Sequence, residues 1–244
     1  MPSGGTYGSA TGKGRGRVGS GNGVGGRRAR PYRKRRPLPA LIVIAILGIG
    51  AVFVWVNVIS NKEGLDDAIR CEPAASPPPG TSYTSVGHGG LDDATPIPPD
   101  RVAVRVLNAG GARGQASITT ESVRQLGFTQ VGVPENDAAY QGREANCQGQ
   151  LRFGENGVTA ARTVSLIVPC VELVRDDRED ASVDLAIGSG FGDVRPRPEA
   201  RQVLDQLAEW SRTRQDSGGD EQSAGGQSPS IDTDLMEKAR DVGC

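Results

Sequence analysis

From Leu38 to Ser60 the chain reads LPALIVIAILGIGAVFVWVNVIS, without one charged side chain. A helix of about 20 apolar residues rises roughly 30 Å, the thickness of a bilayer's hydrocarbon core. Tyr32 and the cluster Arg33-Lys34-Arg35-Arg36 precede the run, and Trp55 sits near its far end. Aromatic and basic flanks of this kind anchor helix ends at the two interfaces. The alternative of a buried helix in a soluble protein fits poorly, since such helices are rarely this long and charge-free. A cleaved signal peptide fits poorly too. The run exceeds the usual apolar core of about 7–15 residues, and no small-residue cleavage site follows closely. Arg70 before Cys71 does not suit a lipobox, and Cys71 lies far from the apolar run. An uncleaved transmembrane helix over 38–60 is therefore expected.

Charge sets its direction. Net charge is −1, yet before Pro37 every charged side chain is cationic, from Lys13 and Arg15 to Arg36. Lys62, Glu63, Asp66, Asp67, Arg70 and Glu72 follow the run without cationic excess. Basic residues collect on the cytoplasmic side, so residues 1–37 are expected to form a disordered cytoplasmic tail. The remainder is extracytoplasmic. The Gly/Arg-rich tail superficially resembles an RNA-binding segment, but only Tyr7 and Tyr32 are available for stacking. Beside a membrane helix it reads as a topology signal touching anionic headgroups, and no nucleic-acid partner is expected.

All four cysteines, Cys71, Cys147, Cys170 and Cys244, follow the apolar run. An even number on the exported side fits disulfides. No CxxC pair occurs, and the sole histidine, His88, lies in a Gly-rich stretch, which disfavours zinc. Three pairings remain open. The favoured one joins Cys147 to Cys170 and Cys71 to Cys244, fastening the C-terminus near the membrane.

Residues 61–99 read as a Pro/Gly-rich linker, and residues 100–194 as the folded domain. Arg101–Asn108 alternates apolar and polar residues as a half-buried strand does. A glycine turn follows, then a helix with Ala116, Thr119, Val123 and Leu126 on one face, stopped by Gly127. Phe128–Val133 reads as a strand. A polar loop holds Tyr140 and Cys147. The cycle then repeats: strand at Leu151–Phe153, turn at Gly154–Gly157 with Asn156 as a candidate helix cap, and a helix through Val158, Ala161, Val164 and Val168. Strands at Val171–Val174 and Val183–Gly188 complete it. Two strand–helix–strand units predict an α+β, βαβ-βαβ-like sandwich with two helices on one face of a mixed sheet. Residues 195–213 read as an amphipathic helix packing on the domain's own sheet. A flexible linker over 214–229 and a short helix over 230–244, needing its terminal cysteine to stay docked, close the chain.

The chemistry is sparse. The turn Ala109-Gly110-Gly111-Ala112-Arg113-Gly114 lacks the first glycine of a dinucleotide fingerprint and the lysine of a P-loop. A tight strand-to-helix connection is the simpler reading. A histidine in a flexible linker is a poor general base. The run Asp176, Asp177, Glu179, Asp180 is interleaved with Arg175 and Arg178 and reads as a solvated loop rather than a cation site. No catalytic, metal or cofactor constellation emerges.

Val104-Arg105-Val106-Leu107-Asn108-Ala109-Gly110-Gly111, Gly114-Gln115-Ala116 and Leu126-Gly127-Phe128 resemble the LytR C-terminal domain family. Gly157, Ala160-Ala161-Arg162 and Asp184-Leu185-Ala186-Ile187-Gly188 leading to Phe191 extend the resemblance over about residues 101–194. Gln115 departs from it, an apolar residue being usual there. Within these motifs Asn108, Gly110, Gly111 and Phe191 are the candidate ligand-contacting residues. In that family the domain often follows a LytR-CpsA-Psr domain that transfers glycopolymers to peptidoglycan, and no such domain is recognisable here. The resemblance implies a non-catalytic, membrane-anchored role in the cell envelope, binding a cell-wall polymer or envelope protein. An accessory subunit of a LytR-CpsA-Psr enzyme, or a receptor holding a lipid or small ligand between helices and sheet, are the alternatives. Oligomeric state is not readable.

Overall fold

The protein is described by a computed structural model covering residues 38–72, 74, 78, 81–216 and 229–244. Side chains are described for these except at 38–40, 57–63, 215 and 216. The basic tail and most of the 214–229 linker lie outside the described residues. Two units are distinguished, Met1–Ile49 and Gly50–Cys244. The first contributes the start of helix α1 (Leu38–Ile69). Its side chains from Leu41 to Ile49 are exposed, as are those of Gly50–Val56 in the second unit. Among the described residues no helix is long and apolar enough to cross a membrane.

The helix does not stop at Ser60. It continues to Ile69, where Ile69 and then Cys71 are buried in the body. The rest of the expected linker is also ordered where described. Strand β1 (Thr84–Val86) pairs antiparallel with β6 (Glu172–Arg175) at the sheet edge. Leu91, Pro96, Pro98 and Pro99 are buried. Composition misleads here because prolines lose little chain entropy on ordering and their rings fill apolar space.

The body is one mixed sheet. β2 (Ala103–Asn108), α2 (Gln115–Gln125) and β3 (Gln130–Val131) form one βαβ unit, while β5 (Gly149–Phe153), α3 (Val158–Ser165) and β6 form the other. β7 (Val183–Ile187) lies between them, parallel to β2 and antiparallel to β5. The order is β1-β6-β5-β7-β2-β3, with β4 (Glu135–Asn136) also on β2. The two crossovers run toward opposite sheet edges on antiparallel strands. The right-handed rule then places both helices on one face. The shared core agrees: Val104, Val106, Leu151, Phe153, Leu185 and Ile187 pack with Val123, Ala161 and Val164.

Local departures have local causes. The strand expected over Phe128–Val133 shortens to β3, because Phe128 turns into the core and Pro134 supplies no N–H to the ladder, and β4 forms beyond that proline. Asn156 does not cap α3. It lies inside a 3₁₀ turn, Glu155–Gly157, and its Nδ2 donates to the Glu179 carbonyl at 2.6 Å. α4 (Pro198–Asp216) sends Leu204 into the main core and packs Ala200, Val203 and Leu207 with Leu166 and with Met236 and Ala239 of α5 (Thr233–Arg240).

The disulfides are Cys71–Cys147 and Cys170–Cys244, with Cα separations of 5.1 and 5.4 Å. The expected partners are thus exchanged. The sheet separates them: Cys147 packs with Leu107, Tyr140 and Ala186 on the helix-free face. Cys170 follows α3, on the side where α5 docks. Non-reducing peptide mapping is expected to recover these two pairs and no crossed species. With sequence separations of 76 and 74, loop-closure entropy makes each worth ~4 kcal/mol. A Cys71→Ser/Cys147→Ser variant should therefore unfold at a clearly lower guanidinium midpoint.

A charged groove on the helix-free face

Strand alternation places one side chain of each pair on the face opposite α2 and α3. On that face β2 contributes Arg105, β7 Asp184 and β5 Arg152, and register aligns them in one row, Arg105 opposite Asp184 and Asp184 opposite Arg152. The row floors a groove of about 760 Å³, walled by Tyr83, Glu135, Asp137 and Arg178 among others.

Two polar networks hold the floor. Arg105 donates from Nε and Nη2 to Asp184 at 3.0 and 3.1 Å. Arg178 reaches the same carboxylate at 2.8 Å and also donates to Asp176 at 2.7 Å. The acidic loop is therefore more than a solvated run, since Asp176 is buried and neutralised by an arginine two residues away. In the second network Arg152 makes a bidentate pair with Asp137, at 2.7 and 3.1 Å, with both side chains 2% exposed. Its Nε donates to Gln150, which donates to Glu172, and Glu172 accepts the backbone N–H of Cys71. The Arg152 guanidinium lies 4.7 Å from the Tyr83 ring centroid and 5.8 Å from that of Tyr140, in cation–π range.

Electrostatics moves these groups away from neutrality. Burial pushes the Asp184 carboxyl up, but hydrogen bonds from Arg105 and Arg178 outweigh it and hold it below the usual carboxylate range. Burial also disfavours charge on Arg178 and Arg152, yet their carboxylate partners raise both above the ordinary guanidinium value. Desolvation raises Tyr83, and raises Tyr140 to about 12, so both rings keep their protons at neutral pH. Proton transfer works best with a pKa near the operating pH. These groups instead form a fixed array of donors and acceptors on rigid strands, beside an aromatic ring.

The candidate residues from the sequence lie elsewhere, at the C-terminal ends of β2 and β7. Asn108 Oδ1 accepts the Gly110 N–H at 3.2 Å, and its Nδ2 donates to the Ala112 carbonyl. Gly110 lies against the backbone of Gly188, where a Cβ has no room, and Gly111 takes φ +75°. Phe191 is buried in the core and its carbonyl accepts from Gln115 at 2.7 Å. Asn108 and Gly110 are joined through the Asn108 side chain, while Phe191 packs in the core. The row Arg105, Arg152 and Asp184 is hard to see in the sequence because each is a lone charge within an apolar strand. That feature was itself the available signal.

Breaking a buried ion pair leaves an uncompensated charge, so Arg152→Met or Asp137→Asn is expected to cost about 3–5 kcal/mol in chemical denaturation. Asp184 gives a pH signature. Its folded pKa is depressed, so its stabilisation is present above the unfolded value of about 4 and fades as pH falls through the lower folded value. The wild-type midpoint should drop below about pH 4, and part of that drop should vanish in Asp184→Asn.

Comparison with known proteins places this geometry. Residues 101–191 match the family described as LytR cell envelope-related transcriptional attenuator. The cell envelope integrity protein Cei of Mycobacterium tuberculosis is 35% identical over 185 residues, covering 74% of this chain and 85% of that protein. The crystal structure of the soluble domain of a conserved hypothetical secreted protein from Mycobacterium marinum aligns with a TM-score of 0.55 and 34% identity, covering 66% of this chain and 97% of that one. With its two βαβ units carrying the LytR-type module and its similarity running well beyond them, this chain belongs to the family of the cell envelope integrity protein Cei.

Proposed function

We propose that the protein is a non-catalytic, single-pass membrane protein that supports cell-envelope integrity by holding a cell-wall polymer in the groove on the helix-free face. The observation that carries this reading is the groove in which partly exposed Arg105 and Tyr83 stand over a rigid floor of Asp184 and buried Arg152. Vicinal hydroxyls of a saccharide suit paired carboxylate and guanidinium groups, and a sugar face suits an aromatic ring. Rigid strands hold those groups in place before the ligand arrives, which reduces the ordering cost of binding. The relative's name, cell envelope integrity protein, supports the same setting.

The charge-free run 38–60 and the basic cluster before it support an anchor with a cytoplasmic N-terminus. The exposed aliphatic side chains of α1 from Leu41 onward and the two disulfides downstream agree with lipid on one part of the chain and an oxidising compartment on the other. The body then sits close to the membrane, because α1 enters it at Ile69, about 13 Å of helix beyond Ser60.

Full-length protein in detergent should retain purified cell-wall glycan in a pull-down. Arg105→Ala and Tyr83→Ala, both at partly exposed positions, should weaken retention about tenfold while still unfolding in a single cooperative thermal transition. In cells, deletion should sensitise to envelope-targeting antibiotics, and the two variants should fail to restore resistance. Equal retention by all three proteins would overturn the groove as the binding site.

A further inference from the structure

A second cavity, about 850 Å³, opens at the foot of α1 and is lined by Leu65 and Asp66 of that helix, His88, Asp92, Arg162 of α3 and Arg240 of α5, among others. Its floor has an unusual charge balance. Arg162 and Arg240 are each 5% exposed in their side chains, yet both donate to one oxygen, Oδ1 of Asp92, at 2.9 and 2.8 Å. Asp92 itself is 58% exposed, on the Gly-rich turn after β1. Arg240 also donates to the His88 carbonyl at 2.7 Å. The Nε atoms of both arginines are buried and have no hydrogen-bond partner among the described residues. Two buried cations thus share one oxygen of a solvent-facing carboxylate. A buried charge is costly unless fully paired, and a guanidinium pair has the donor geometry for phosphoryl oxygens.

The rest of the cavity limits the ligand further. Asp66, Asp93, Glu237 and Asp241 also line it, with Lys238 the remaining cation. A simple anion meets net negative charge on the way in, whereas a cationic amine meets a favourable field. We propose that this cavity binds a zwitterionic phosphoryl–amine group of the phosphoethanolamine type, with its phosphoryl taking the place of the Asp92 carboxylate on Arg162 and Arg240 and its ammonium among the outer carboxylates. The proposal is independent of the saccharide groove, which lies on the opposite face of the sheet from α3. Burial, and then the neighbouring Arg162 charge, lowers Arg240 to about 10, as an undercompensated pair requires. The ligand is either a lipid headgroup, since α1 leads from the proposed span into this wall, or a soluble phosphoester.

His88 makes the test direct. It is the chain's only histidine, its Nε2 lies 2.9 Å from the Pro169 carbonyl, and it lines the cavity. Full-length protein without an added histidine tag, labelled with ¹⁵N-histidine and placed in phosphatidylglycerol nanodiscs, gives one set of imidazole signals. O-phosphoethanolamine should shift them saturably, and about tenfold more tightly than inorganic phosphate or ethanolamine alone. Asp92→Asn, which removes the competing carboxylate, should tighten binding about fivefold. Nanodiscs containing phosphatidylethanolamine should show the shifted signals without additive if a lipid is the source, and unshifted ones if only the soluble ester binds. The proposal is overturned if wild-type His88 signals respond to neither the ester nor the lipid, leaving Arg162–Asp92–Arg240 as a clamp for α5. It is equally overturned if inorganic phosphate matches the ester.

Discussion

β7 is the strand on which the rest of the structure depends. It hydrogen-bonds along its whole length to β2 on one side and β5 on the other, joining two βαβ units whose own strands do not pair with each other. Its alternation divides the domain's chemistry. Val183, Leu185 and Ile187 face the helices and the apolar core, while Asp184 and Ala186 face the opposite side. A slip of one residue would put a carboxylate in that core and aliphatic groups in the groove. One pattern of pairing therefore creates both the packing and the charged floor.

The groove network also tethers the helix-free face to α1. Glu172 accepts from the Cys71 backbone while holding Gln150 and, through it, Arg152. Tyr140 donates to the Glu72 carbonyl at 2.7 Å, and the Cys71–Cys147 bond closes the same region covalently. The second disulfide does the corresponding work on the other side, holding the end of α5 near α3. The two crosslinks thus fix opposite layers to one sheet. This arrangement keeps Arg240, eight side-chain positions into a short terminal helix, buried beside Arg162.

Much of the architecture was legible because apolar periodicity survives into the fold. The alternation in Arg101–Asn108 became β2, and the 3.6-residue spacing of Ala116 and Val123 became the buried side of α2. The duplicated strand–helix–strand order pointed to a mixed sheet with helices on one face. The charged groove was less visible. Arg105, Arg152 and Asp184 are distant in the chain and meet only through strand register, and Tyr83 sits in a Pro- and Gly-rich stretch whose composition conceals an edge strand. Asn108, Gly110, Gly111 and Phe191 stood out because glycine and aromatic motifs are conspicuous in a sequence. Gly110 allows the close approach of two strand ends where it meets Gly188.

By itself the sequence determined the local quantities: where apolar periodicity allows helix or strand, where a charge-free run reaches the length of a bilayer core, and where thiols occur relative to it. Each depends on residues adjacent in the chain. Tertiary structure decided which cysteines pair, which lone charges share a carboxylate and which Pro-rich segment becomes an edge strand. Those outcomes depend on which face of the sheet each residue reaches, a property set by the pairing of strands far apart in sequence.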